Sequence, residues 1–121
     1  MPECRYTLLM SGRAELEEKK SRFLAQSFFV RSEAEVAEIL AAVRKEHYDV
    51  CSAYVLFGNP PLEKSSDDGE PAKTAGLPML DLLRAASLCN TLVTVTRYFG
   101  GIKLGTGGLV RAYTAATKGA L

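Results

Sequence analysis

The chain has 121 residues, a formal net charge of +1, and 24% charged against 47% hydrophobic residues, the balance of one soluble globular domain. It is long enough to bury a core without metal or disulfide staples. No apolar run approaches the roughly 18 residues that a membrane-spanning helix needs, and the opening MPECRYTLL lacks the basic and apolar regions of a secretory signal. Cys4, Cys51 and Cys89 are odd in number and show no paired spacing, so reduced thiols in a cytoplasmic setting are expected.

Tyr6–Met10 is a short apolar run, and Arg22–Val30 carries Phe23, Phe28 and Phe29. Both read as strands joined across the polar segment GRAELEEKKS, which can itself extend them as a ribbon. Ser32 followed by Glu35 forms a capping box, and Val36, Ile39, Leu40 and Val43 then fall on one helical stripe. Glu33 and Glu35 at the start, with Arg44 and Lys45 at the end, complement the helix dipole, as would a charge on His47. Val50–Phe57 is apolar on both faces, the mark of a strand covered on both sides. Gly58–Gly76, with Pro60, Pro61 and Pro71, is the longest irregular stretch, and a compact domain rarely spends so many residues without a use.

Pro78 suits a first helical turn, and Leu80, Leu83, Ala86 and Ser87 continue a second helix toward Asn90. Leu92, Val93 and Val95 among threonines predict a strand, and Leu109, Val110, Tyr113 and Ala116 a third helix. The predicted order is β-β-α-β-loop-α-β-loop-α. It implies an α+β fold with four strands in a mixed sheet and one layer of helices on one face.

Between the last strand and the last helix, TRYFGGIKLGTGGLVRAY packs five glycines, two arginines, a lysine and three aromatic rings. A glycine-rich turn at a helix opening leaves backbone N–H groups free for an anion, phosphate above all. Gly100, Gly101, Gly105, Gly107 and Gly108 would supply the approach, Arg97, Lys103 and Arg111 the charge, and Tyr98 or Phe99 a ring to stack a base. Beyond Asp81 there is no acidic residue, which concentrates positive charge in this third of the chain. The loop matches neither nucleotide fingerprint: Thr106 and Gly107 stand where a Walker loop needs Lys and Ser or Thr, and Val110 where a dinucleotide fold needs glycine.

The acidic loop holds Asp67, Asp68 and Glu70 together. It can bind magnesium, form a turn in which the Asp side chains bond their own backbone, or fix Arg97 or Lys103 through ion pairs. No resident cofactor or metal is expected, magnesium being the one weak candidate. His47 is the only histidine, Cys51 sits in an apolar strand, and no nucleophile is identified.

The segments KKSRFLA (Lys19 to Ala25), Ala53-Tyr54, DDGEPAKTAGLPML and TRYFGGIKLGTGGLVRAY resemble the IMPACT family, also called the YigZ family, over essentially the whole chain. The resemblance implies a single N-terminal domain over residues 1–121, with the ferredoxin-like C-terminal domain of the bacterial relatives absent. It implies a two-layer sandwich like domain IV of elongation factor G and the ribonuclease P protein, with a left-handed βαβ crossover against the usual handedness. It also implies a link to translation and its stress response, because the eukaryotic relatives restrain the amino-acid-starvation kinase pathway by competing for a ribosome-associated activator. Two positions depart from the family pattern: Ala72-Lys73 replaces a common Ser-Gly, and Asp49 stands where many relatives have histidine.

The expected function is a non-enzymatic regulator that binds RNA or a ribosome-associated partner through the basic glycine-rich surface. The alternatives are a metal-dependent enzyme acting on a small phosphorylated ligand, with Asp67, Asp68 and Glu70 holding magnesium, or a purely protein-binding domain. No membrane partner is expected.

Overall fold

In the polar segment after Met10, alternate side chains turn inward: Ala14 and Leu16 are half-buried between exposed Arg13, Glu15 and Glu17. That period of two makes a strand, β1 (Arg13–Glu18), which pairs antiparallel with β2 (Ser21–Phe29). The structure is a computed structural model and describes residues 6–8, 10–47 and 49–121. The first strand thus lies where the ribbon alternative puts it and not in Tyr6–Met10. Tyr6 forms a single parallel bridge with Leu88, Thr7, Leu8 and Met10 are irregular, and Leu9 lies outside the described residues.

The first helix, α1 (Glu33–Glu46), starts as its cap dictates. The Ser32 hydroxyl accepts the Glu35 N–H at 3.2 Å, while the Glu35 carboxylate reaches back to the Arg31 N–H at 3.0 Å, one residue beyond the usual reciprocal arm. Strand β3 (Val50–Leu56) is buried throughout, as its two apolar faces require. The stretch expected to be loop contains a further strand, β4 (Leu62–Ser66), whose Leu62 pairs with Leu56 across a tight connection. Then follow α2 (Gly76–Ala85), β5 (Thr91–Tyr98) and α3 (Gly105–Ala120).

The sheet has five strands in the order β1-β2-β5-β3-β4, every neighbouring pair antiparallel. This corrects the expected four-stranded mixed sheet. Because β2 and β3 both run antiparallel to β5, which lies between them, they are parallel to each other, and α1 carries the chain from one to the other.

The helices occupy both faces, not one. Met79, Leu80 and Leu83 of α2 and Leu109, Tyr113 and Ala116 of α3 pack with Ala53, Val55, Val93 and Val95. Val36 of α1, with Ile39 and Leu40, packs with the alternate residues Tyr54, Leu56 and Leu92. Side chains one position apart in a strand face opposite ways, so the doubly apolar β3 needs cover on both sides. The Phe23 and Tyr113 rings meet edge to face at 5.2 Å in the larger cluster. Cys89 is disulfide-bonded, against the expectation of three reduced thiols, and Cys51 is free and buried. Cysteine count and spacing do not report which thiols meet in space.

Candidate functional site

Along β5, Val93, Val95 and Arg97 face α2 and α3 in turn, so the last of them carries a guanidinium to the end of the core. There Arg97 Nη1 donates to both carboxylate oxygens of Glu70 at 3.0 Å, the two side chains being 11% and 13% exposed. The Tyr113 hydroxyl donates to Glu70 Oε2 at 2.5 Å, and the guanidinium lies 5.7 Å from the Phe23 ring and 5.3 Å from the Phe99 ring. Arg97 is therefore a neutralised structural cation, which removes it from the expected anion site. The ion-pair alternative for the acidic loop is what the structure adopts for Arg97.

The neighbouring carboxylates are also committed. Asp67 accepts the N–H groups of Lys73, Ala75 and Gly76 at 2.9, 3.2 and 2.8 Å, capping the opening of α2 from a distance. Asp68 accepts the Val50 N–H at 2.9 Å. Lys73 adopts a left-handed φ of 66° at an exposed position.

Beneath this loop the Cys51 thiol contacts the Asp67 carbonyl at 3.1 Å and the Tyr113 hydroxyl at 3.5 Å. Burial pushes the Cys51 thiol up to about 12 and drives Tyr113 upward as well, with Cys51 and Glu70 adding to the effect. The native thiol is expected to resist a thiol-specific reagent at about pH 8 and to react only when the chain unfolds, since only the thiolate attacks. The sign of the linkage follows: stability is unaffected below the unfolded thiol value of 9.0 and falls as pH rises from there toward about 12, because the unfolded chain loses its proton first. Native labelling at the rate of an unfolded control would contradict this.

The glycine loop divides into packed and open parts. Gly100 is half-buried, its N–H donating to Ser21 Oγ at 3.3 Å, and a Cβ placed on it would lie 1.9 Å from the Lys20 carbonyl oxygen. That glycine serves backbone packing and not an anion. Gly101, Lys103, Gly105, Thr106 and Gly107 are exposed, Gly108 is half-buried, and Leu104 anchors the loop in the core. Helix α3 opens with Gly105 at φ 74°, with no side-chain cap and no acidic residue in its first turn. Arg111 lies across this opening, since a Cβ on Gly107 would sit 3.3 Å from Arg111 Nη1. Tyr98 and Phe99 are both exposed, Tyr98 with its hydroxyl against His47 Nδ1 and Phe99 beside Arg97.

Two cations were missed by sequence reasoning. Lys19 and Lys20 form the two-residue turn between β1 and β2, at φ 47° and 66°, a conformation that hairpins usually give to Asn or Gly. The Gly100 contact sets this turn against the glycine loop. Among the described residues Lys19, Lys20, Lys103 and Arg111 make no ion pair, whereas Arg22 and Arg97 do. The start of the KKSRFLA segment was the available signal.

Comparison with known proteins gives the lineage. The Impact N-terminal domain matches residues 19–121. The IMPACT family member YvyE of Bacillus subtilis is 46% identical over 111 residues, covering 89% of this chain and 51% of that protein. A crystal structure described as that of a hypothetical protein superposes with a TM-score of 0.85 at 38% identity, covering 93% of this chain and 57% of the other. The two-domain translational regulator Yih1 superposes with a TM-score of 0.56 at 25% identity, covering 89% of this chain and 45% of the other. The chain thus spans about half the length of the bacterial relative named here. The matched residues, the shared fold and the glycine-rich motif place this chain in the IMPACT family.

Proposed function

We propose that this chain is a cytoplasmic, non-enzymatic regulator linked to translation, and that it binds RNA through the surface formed by the β1–β2 turn, the glycine loop and the opening of α3. The observation that carries this reading is the collection of four cations that make no ion pair among the described residues, Lys19, Lys20, Lys103 and Arg111, around an uncapped helix start. The description of Yih1 as a translational regulator supports the link to translation. The acidic loop favours this reading over metal-dependent catalysis, because Asp67, Asp68 and Glu70 each already have a structural partner.

If about four phosphates are neutralised on a single strand, log affinity falls against log salt with a slope of about −3. Lys103→Glu is expected to flatten that slope by about one unit without lowering the melting temperature. Fluorescence anisotropy with a labelled single-stranded RNA, from about 50 to about 200 mM salt, reads both quantities. Absent binding, or a slope near zero with Lys103→Glu indistinguishable from wild type, contradicts the reading. Capture of ribosome-associated proteins after nuclease treatment would then favour a protein partner.

A further inference from the structure

A cleft of about 240 Å³ opens between β1 and the first half of α3, at the foot of the Lys19–Lys20 turn. Roughly 300–1,000 Å³ holds a drug-sized ligand, so this cleft has room for one ring system. Leu16, Leu104 and Ala115 form its apolar walls, and Glu18, Lys19 and Arg111 line it with charge. Among the described residues, none of those three charged side chains has an ion pair.

The chemistry of the lining selects the occupant. Apolar walls favour a flat, desolvated ring, and the two exposed cations of the lining favour phosphates beside it. The exposed Glu18 carboxylate of the lining disfavours a phosphate or an acidic side chain beside it and favours an uncharged group that carries a hydrogen-bond donor. A nucleobase with an exocyclic amino group meets these requirements, since a carboxylate accepts from such groups. Resting on the RNA reading above, we propose that the cleft takes one unstacked, amino-bearing base of a single-stranded RNA. Lys19 and Arg111 hold the flanking phosphates, and Glu18 accepts from the amino group. Unpaired RNA is the form whose bases are free to splay into such a slot.

The test compares oligo-C, oligo-A, oligo-U and an abasic chain of the same length by anisotropy at one low salt concentration. Wild-type protein is expected to bind oligo-C and oligo-A about tenfold more tightly than oligo-U or the abasic chain. Glu18→Ala is expected to erase the preference for oligo-C over oligo-U by weakening oligo-C, because the acceptor of the amino group is lost. Ala115→Leu, which fills the cleft from an exposed position, is expected to weaken oligo-C about tenfold and leave its salt slope unchanged. Equal affinity for all four chains would overturn base insertion and leave the RNA reading standing, whereas no binding to any chain would overturn both.

Discussion

Replacing Glu70 with alanine is expected to cost about 3–5 kcal/mol of stability, because it strands a buried guanidinium. Both side chains of the Arg97–Glu70 pair are nearly nine-tenths buried, and Arg97 Nε already lacks a partner, so little solvent is at hand to replace the lost carboxylate. The Tyr113 hydroxyl loses its acceptor in the same substitution. The double variant Glu70→Leu with Arg97→Met is expected to be less destabilised than Glu70→Ala alone, since it removes the charge together with its partner. Urea unfolding followed by circular dichroism suits this chain, which has no tryptophan. A loss below about 1 kcal/mol for Glu70→Ala would mean that the pair behaves as an exposed one.

Gly100→Ala is expected to destabilise by about 3 kcal/mol or more, at the upper end of overpacking costs. The added Cβ would fall 1.9 Å from the Lys20 carbonyl oxygen and 2.2 Å from its carbon, both backbone atoms that move only if the β1–β2 turn moves. Gly101→Ala is the control: nothing lies within 4 Å of its Cβ, so it carries only the conformational cost of φ 90°, about 1–2 kcal/mol. Thermal melts of the two variants side by side separate steric from conformational loss. Equal melting temperatures would show that the hairpin and the glycine loop are not held against each other.

What the sequence made legible follows the physics of each element. Helix α1 was readable because its cap and its stripe are local, and β3 and β5 because β-branched, doubly apolar runs have few other uses. Strand β4 escaped because LEKSS is a charged edge strand, held by pairing with a neighbour instead of by apolar alternation, whereas β1, whose Ala14 and Leu16 alternate inward, was legible only as the ribbon alternative. The helix layers were misplaced although the signal was present: the doubly apolar β3 already demanded cover on both sides. At the site, position in sequence favoured Arg97, Lys103 and Arg111 equally. Only folding brings Glu70 against Arg97 from 27 residues away and sets Lys19 and Lys20 beside Gly100. The spare cations were therefore partly different ones from those that sequence order suggested.

The redistribution sharpens the functional reading. Arg97 and Glu70 build the platform beneath Phe99, while Lys19, Lys20, Lys103 and Arg111 and the open helix start present the charge. The most direct measurement is a backbone-amide NMR titration of the folded chain with a single-stranded RNA. Shifts concentrated at Lys19, Lys20, Gly101, Lys103 and the first turns of α3 through Arg111 are predicted. Shifts confined to α1 and β4, or none at saturating RNA, would contradict it.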